Sequence, residues 1–262
     1  MEKSEKVKRT KTHDKRYCYL FFLLLIVGAC VLIYRYYRED KSEEERFEQL
    51  KEIEEEREDI SVPQKVPKEV ENQDWIGWVK IENTSFSYPV MQRKGEGEFY
   101  LHRDFDGNYS FYGTPFLDGR CTWDSDNSII YGHNINGGRM FGKLHAYVRK
   151  TYYKEHPTIS VRAGEERRTY KIVSVMQTDI SSSVYSFTDV GNWEEYRDYV
   201  KTVVSSSLYP TKMGKVIEAK MKEESVETFF KKYQFVTLST CRSYVGKDAR
   251  LLVIGVRERG CG

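Results

Sequence analysis

Between Tyr17 and Tyr34 the sequence YCYLFFLLLIVGACVLIY carries no ionisable side chain other than tyrosine and cysteine. At 1.5 Å per helical residue, roughly 18 residues span about 27 Å, enough to cross the hydrocarbon core of a bilayer. Tyrosines at 17, 19, 34, 36 and 37 suit the two headgroup regions. The preceding stretch is basic, with Lys3, Lys6, Lys8, Arg9, Lys11, Lys15 and Arg16, and the positive-inside rule keeps such a flank in the cytoplasm. A cleaved signal peptide shares this order, but its apolar centre is shorter and stops at a small-residue site. Here Gly28 and Ala29 are followed by Cys30, Val31 and Leu32. The same continuation argues against a lipoprotein-type cleavage at Cys30. The expected layout is a cytoplasmic tail at 1–16, a single-pass transmembrane anchor at 17–37, and the rest of the chain outside the cell.

After the anchor, the residues from Glu39 to Asp59 are dominated by Glu with interspersed Lys and Arg. Phe47, Leu50 and Ile53 give only a thin apolar stripe, which predicts a solvated helix or partly disordered stalk supported by pairs such as Glu48 with Lys51. Pro63 and Pro67 break any helix, so 38–70 reads as a charged stalk and 71–262 as the folded extracytoplasmic domain. Across all 262 residues, 42 Lys plus Arg balance 40 Asp plus Glu. Nucleic acid is therefore not an expected partner, because phosphate binding needs a surplus of cations on one face. Five cysteines are too few for a disulfide scaffold, and their odd number leaves at least one thiol unpaired.

From Trp78 onward, short β-branched and aromatic runs alternate with Gly, Asn and Asp. Eight strands are expected: Trp78 to Ile81, Tyr88 to Met91, Thr114 to Leu117, Ser128 to Tyr131, Thr158 to Val161, Thr169 to Thr178, Phe235 to Leu238 and Leu251 to Val256. That number suits a barrel or a sandwich. Helical spacing interrupts it over Met140 to Tyr147, over Trp193, Tyr196, Val200 and Val203, and over Val226, Phe229, Phe230 and Tyr233. The fold class is mainly β with flanking helices.

Three segments bear chemistry. Thr237-Leu238-Ser239-Thr240-Cys241 ends an apolar strand where the polar loop Arg242 to Asp248 begins, so Cys241 sits at a rim rather than in a core. Ile130-Tyr131-Gly132-His133-Asn134 is another strand running into a Gly-containing loop; His133 there suits a general acid and base, or a structural role. Asp248-Ala249-Arg250 opens the last strand. If the final two strands form a hairpin, Arg250 returns beside Cys241, where a guanidinium can stabilise a thiolate or an oxyanion. The alternative is a surface arginine paired with Asp248.

Taken together, TLSTC followed by DAR and LLVIGV, with IIYGHN and MFGKL upstream, resembles the sortase family, most closely class B, over roughly residues 72 to 258. Sortases are membrane-anchored cysteine transpeptidases of Gram-positive bacteria. The resemblance implies an eight-stranded β-barrel, with the stretches Trp193 to Ser206 and Val216 to Tyr233 similar to the extra helices of class B. It implies Cys241 as nucleophile, His133 as general acid and base, and Arg250 as oxyanion-stabilising or substrate-positioning residue. Arg242 departs from many class B members and bears on substrate detail. The implied substrate is a secreted protein with a C-terminal sorting signal, of Asn-Pro-x-Thr type for class B, cleaved after Thr. The implied acceptor is an amine of a peptidoglycan precursor, or a Lys of another subunit in a pilus-polymerising variant. No cofactor or metal is implied.

Asp104 to Asn108 resembles the start of a calcium loop, but the sixth and twelfth positions are Tyr109 and Pro115, where an EF-hand needs Gly and Glu. Asp124, Asp126 and Asn127 read as a turn. His102, His145 and His156 lack metal-ligand spacing and default to surface or packing roles. The loops at Tyr109 and Tyr112 suit a peptide groove or ordinary packing equally. Cys121 and Cys261 have no assigned role, and a bridge between them has no positive support. Two further readings compete with transpeptidation: a cysteine hydrolase on the same scaffold, and a tethered binding or assembly protein without catalysis.

Overall fold

The computed structural model describes residues 2–59, 71–135, 139–241, 246 and 248–260. Pro63, Pro67, Arg242 and Cys261 lie outside them. The chain divides into two compact units, Met1–Glu52 and Ile53–Gly262. The first consists of helix α1 (Glu2–Asp59), which continues into the second unit. Within α1 the segment Arg16–Arg35 is long and apolar enough to cross a membrane, and its apolar side chains are exposed. The pair Lys51–Glu48 forms at 3.4 Å.

The second unit is built on a closed eight-stranded barrel. Its strands are β1 (Trp75–Lys80), β2 (Ser87–Met91), β3 (Phe116–Leu117), β4 (Asn127–Tyr131), β7 (Thr158–Ala163), β8 (Glu166–Asp179), β9 (Tyr233–Cys241) and β10 (Ala249–Glu258). All eight expected strands are present. β5 (Asn134–Ile135) and β6 (Arg139–Met140) form a small separate hairpin. Around the barrel the order is β1-β2-β3-β4-β9-β10-β8-β7, with β2/β3 and β4/β9 parallel and the other neighbours antiparallel.

Strand β9 is buried at every residue from Tyr233 to Thr240, because both of its faces are covered. Leu238 and Val236 are buried within the β-sheet barrel, while Tyr233 and Phe235 join Leu252, Ile254 and Val256 of β10 in a layer under the helices. That layer is closed by Tyr196, Val200 and Val203 of α3 (Trp193–Ser205), Ile217 of α4 (Lys212–Glu223) and Phe229 of α5 (Val226–Phe229). The ring of Phe187 stacks on Tyr199 at 3.7 Å.

The helical stretch expected over Val216 to Tyr233 is broken. Glu224 is extended, Ser225 caps α5 by accepting a hydrogen bond from Thr228 N, and Lys231 takes a positive φ before Tyr233 starts β9. A serine side chain competes well for a helix's first free N–H groups, so it starts a new helix rather than continuing the old one. The expected helix from Met140 is a 3₁₀ segment, Phe141–Val148. A short α2 (Lys150–Glu155) and 3₁₀ turns at Phe99–His102 and Ser183–Ser186 carry no clear periodicity and were not expected.

One contact of α1 lies within the second unit. Glu54 and Arg162 are 3% and 9% exposed and form a close ion pair, with Arg162 Nε 2.7 and 2.9 Å from the two carboxylate oxygens. A Glu within a Glu-rich run reads as solvated; here it neutralises a buried cation of β7, and removing one partner of such a pair leaves an uncompensated buried charge.

Candidate active site

Three neighbouring strands end at the same mouth of the barrel. β4 runs parallel to β9 with Tyr131 opposite Ser239, and Gly132 N extends the pairing by donating to the Ser239 carbonyl at 3.2 Å. β9 pairs antiparallel with β10, and Arg250 is the direct partner of Cys241. His133 at the end of β4, Cys241 at the end of β9 and Arg250 at the start of β10 all line one open cleft of about 570 Å³. A larger hollow of about 720 Å³ opens between α3 and α4, but its lining holds no cysteine or histidine, so size alone does not locate the chemistry.

Cys241 is half-buried where its strand emerges from full burial. It is a free thiol. Its backbone carbonyl accepts a hydrogen bond from His145 Nε2 at 3.1 Å, which fixes the strand end from the 3₁₀ segment. Cys121 is also free but buried, donating to the Asn127 carbonyl. Burial pushes its thiol up to about 12, and it does not line the cleft. A nucleophile needs an accessible thiolate, and of these two cysteines only Cys241 has the exposure for one.

His133 is held by its backbone and by its ring. Phe141 N donates to the His133 carbonyl at 3.0 Å. A Cβ on Gly132 would lie 2.4 Å from the Phe141 ring, so the residue before the histidine has to be glycine for the loop to pass this close. The ring Nε2 lies 2.8 Å from the Leu101 carbonyl. A carbonyl only accepts, so Nε2 carries a hydrogen and Nδ1 holds the lone pair of the neutral ring. The exposed His102 ring stacks on it at 5.4 Å. Burial lowers the His133 pKa, the Leu101 carbonyl offsets part of this, and the positive field of His102 lowers it further. The net effect favours the neutral imidazole, the form that can take a proton.

The rest of the cleft is largely apolar and aromatic. Tyr185 shares a hydrogen bond with Ser239 Oγ at 2.8 Å and stacks on Tyr131 at 6.2 Å. Burial chiefly raises the Tyr185 pKa, Ser239 and Arg250 oppose the rise, and Cys241 adds to it; the hydroxyl thus lies in the field of both cleft groups. Phe116, Leu101 and Ile180 contribute further surface.

Sequence reasoning missed the roles of Leu101, His102, His145 and Tyr185 at this mouth. Tyr131 and Ser239 stood inside quoted motifs, and strand alternation could have flagged Ser239, two residues before Cys241. Nothing in the sequence links Leu101 or His145 to the site. The Tyr109 and Tyr112 loop does not line the cleft: Tyr112 is buried under Arg139 and Tyr109 is exposed. Asp104 to Asn108 is a polar turn closed by Asp104 Oδ1 accepting from Asn108 N. Asp126 is ion-paired with Arg259 and Asp124 with Arg168. Among the described residues no cluster of His, Cys, Asp and Glu has metal-binding geometry.

Comparison with known proteins agrees with this architecture. The family model described as the sortase domain matches residues 79–258. Sortase B of Staphylococcus aureus is 27% identical over 249 residues, covering 92% of this chain and 96% of that protein. Sortase B of Listeria monocytogenes is 33% identical over 140 residues, a match to 53% of this chain that spans only 56% of the relative's length. Among solved structures, sortase B from Listeria monocytogenes superposes with a TM-score of 0.59 at 29% identity, covering 71% of this chain and 95% of the other. A Staphylococcus aureus sortase B-substrate complex gives 0.66 at 23% identity, over 85% and 99%, a likeness that speaks for the fold.

Proposed function

The chain belongs to the sortase family, in its class B branch of cysteine transpeptidases, and on that premise we propose that Cys241, His133 and Arg250 transfer a secreted protein's C-terminal acyl group to a cell-wall amine. The observation that carries the assignment is the convergence of a thiol, an imidazole and a guanidinium, from three adjacent strand ends, on one open cleft. A Staphylococcus aureus sortase B of the same fold was solved as a substrate complex.

In this reading the Cys241 thiol passes its proton to Nδ1 of neutral His133, and the sulfur attacks the carbonyl carbon of Thr in an Asn-Pro-x-Thr type signal. The tetrahedral oxyanion is met by Arg250. As it collapses, the carbon–nitrogen bond breaks, the Nδ1 proton goes to the departing amine, and a Cys241 thioester remains. An amine of a peptidoglycan precursor then attacks the thioester and gives its proton back to His133. The second oxyanion collapses with the thiolate as leaving group, and that proton restores the thiol. Leu101 keeps the ring in one tautomer throughout, since its carbonyl accepts from Nε2 whether His133 is neutral or charged.

The N-terminal segment fits the same function. Residues 17–37 would hold the enzyme to the membrane with 1–16 in the cytoplasm, and the charged stretch that starts at 38 would carry the catalytic domain outward to substrates confined near that surface, its Glu54 already packed on the barrel through Arg162.

The test is intact-mass spectrometry of the full chain in detergent micelles, incubated with a panel of Thr-containing sorting peptides, with and without an amine acceptor. The expected result is an acyl adduct that maps to Cys241, converts to a peptide–amine product, and is absent from Cys241→Ala. An adduct released only as free acid at high amine would turn the assignment to a hydrolase. Undiminished product from Cys241→Ala would sink the mechanism.

A further inference from the structure

Asp118 and Arg120 line the cleft just beyond β3, yet acyl transfer as described has no use for them. Their hydrogen bonds account for both carboxylate oxygens. Asp118 Oδ1 accepts from Arg120 N and Arg120 Nε, each at 2.9 Å. Oδ2 accepts from Arg120 Nη2 at 2.7 Å and from the Tyr131 hydroxyl at 2.9 Å. The same Nη2 donates to the Tyr185 carbonyl at 2.9 Å, in the turn Ser183–Ser186 between β8 and α3. Burial works against the charge on Asp118, but the Arg120 contacts and the Tyr131 hydroxyl together hold its pKa below the usual carboxylate value.

These bonds join two segments that share no strand pairing. Tyr131 belongs to the barrel wall, whereas Tyr185 sits on a connecting turn outside the barrel ladder, where its N–H donates to the Ser182 carbonyl at 3.1 Å and its own carbonyl and hydroxyl are met by side chains. One end of Tyr185 is held at its backbone by Arg120, the other at its hydroxyl by Ser239. Between those anchors its ring lies 6.2 Å from Tyr131 with 15° between the planes. With both hydroxyls engaged, on Asp118 and on Ser239, the pair meets an incoming chain mainly with its ring surfaces.

We propose that Asp118 and Arg120 are positioning residues: they clamp the Tyr131–Tyr185 wall in place and so set the affinity of the cleft for its peptide, without touching the reacting atoms. The effect on peptide affinity rests on the transpeptidase reading; the clamping of the wall does not. Asp118→Asn removes the charge that the guanidinium pairs with, and Arg120→Gln removes the link to Tyr185. Arg120→Lys keeps a cation but loses the planar fork that contacts Asp118 and Tyr185 together.

The test has three readouts on the full chain in detergent micelles. Amide hydrogen exchange across residues 183–187 is expected to accelerate by about tenfold in Asp118→Asn and Arg120→Gln, the factor that corresponds to losing about 1.4 kcal/mol of local stability. The rest of the barrel should exchange as in the wild type. KM for the sorting peptide is expected to rise by about tenfold with kcat held, the pattern of lost ground-state binding. Alkylation of Cys241 by iodoacetamide, followed by peptide mapping, should stay at its wild-type rate. Unchanged exchange at 183–187 overturns the clamp. A fall in kcat and in alkylation with KM unchanged also overturns it, because the pair would then act on the chemistry. Should the wild type turn over no peptide, the transpeptidase reading fails while the exchange measurement still decides the clamp. Should either neutral variant fail to fold, Arg120→Lys carries the same three comparisons, with a smaller acceleration at 183–187 expected.

Discussion

The two halves of the cleft are held by different kinds of force. Cys241 and Arg250 face each other across β9 and β10, which stay in register over nine residue pairs and lie under a continuous layer of α3, α4 and α5 side chains. Their relative position is a property of the backbone ladder and of a buried sheet. His133 lies beyond the last residue of β4 and depends on a close glycine–phenylalanine approach, one carbonyl from Leu101 and a stacked histidine. Cys241 and Arg250, the proposed nucleophile and oxyanion donor, are thus paired by the strand ladder, while His133, the proposed acid and base, is set by side chains that substitution can move. Changes on the first half should alter chemistry without altering geometry, and changes on the second half should alter geometry first.

Arg250→Ala probes the first half and carries the largest expected effect. Loss of one oxyanion donor costs about a hundred- to a thousandfold in kcat, measured with a sorting peptide under saturation. The circular dichroism spectrum should be unchanged, since the β9–β10 ladder is made by main-chain groups. Arg250→Lys should recover only part of the rate, because an ammonium lacks the planar fork. A full-rate Arg250→Ala enzyme would remove the oxyanion role and leave the hairpin as mere scaffold.

Gly132→Ala probes the second half. The new methyl meets the Phe141 ring, and relief of such overpacking costs about 1–3 kcal/mol, read as a lower melting temperature. His133 should shift relative to Cys241, and misplacement of a catalytic group by about 1 Å lowers the rate on the order of tenfold to a hundredfold. Alkylation of Cys241, which lies on the rigid half, should remain near the wild-type rate. If alkylation falls as steeply as transfer, the two halves are mechanically one.

That division also explains what the sequence disclosed. The eight barrel strands were readable because each is a β-branched or aromatic run bounded by turn residues, and the return of Arg250 to Cys241 needed only a hairpin between two such runs. The stretch from Val216 to Tyr233 misled because its apolar spacing continues across Ser225, where a cap outcompetes helix propagation. Glu54 was hidden by its own surroundings, one acid in an acidic run. Leu101 and His102 could not be found at all: they reach His133 from 32 and 31 residues away through a 3₁₀ turn, and a backbone carbonyl leaves no trace in residue identity.

The smallest expected effect is the most specific to the loop-held half. In the proposed mechanism His133 must be neutral to take the thiol proton, so kcat/KM should fall as pH drops through its folded pKa, which lies below the usual 6.5. Burial is the main cause, and the neighbouring His102 adds to it through its positive charge. His102→Phe keeps a ring stacked on His133 and removes that charge, so the His133 pKa should rise and the acid limb of the profile should move to higher pH. The rate at the alkaline plateau should be unaffected. Stability should follow the same sign. A lowered folded pKa means the unfolded chain binds more protons between that value and 6.5, so the contribution is full above 6.5 and is lost as pH falls through the folded pKa. In His102→Phe the loss should therefore be smaller. An acid limb that stays in place while Gly132→Ala still slows transfer would show that His133 is controlled by packing and by Leu101, with no electrostatic share from its stacked neighbour.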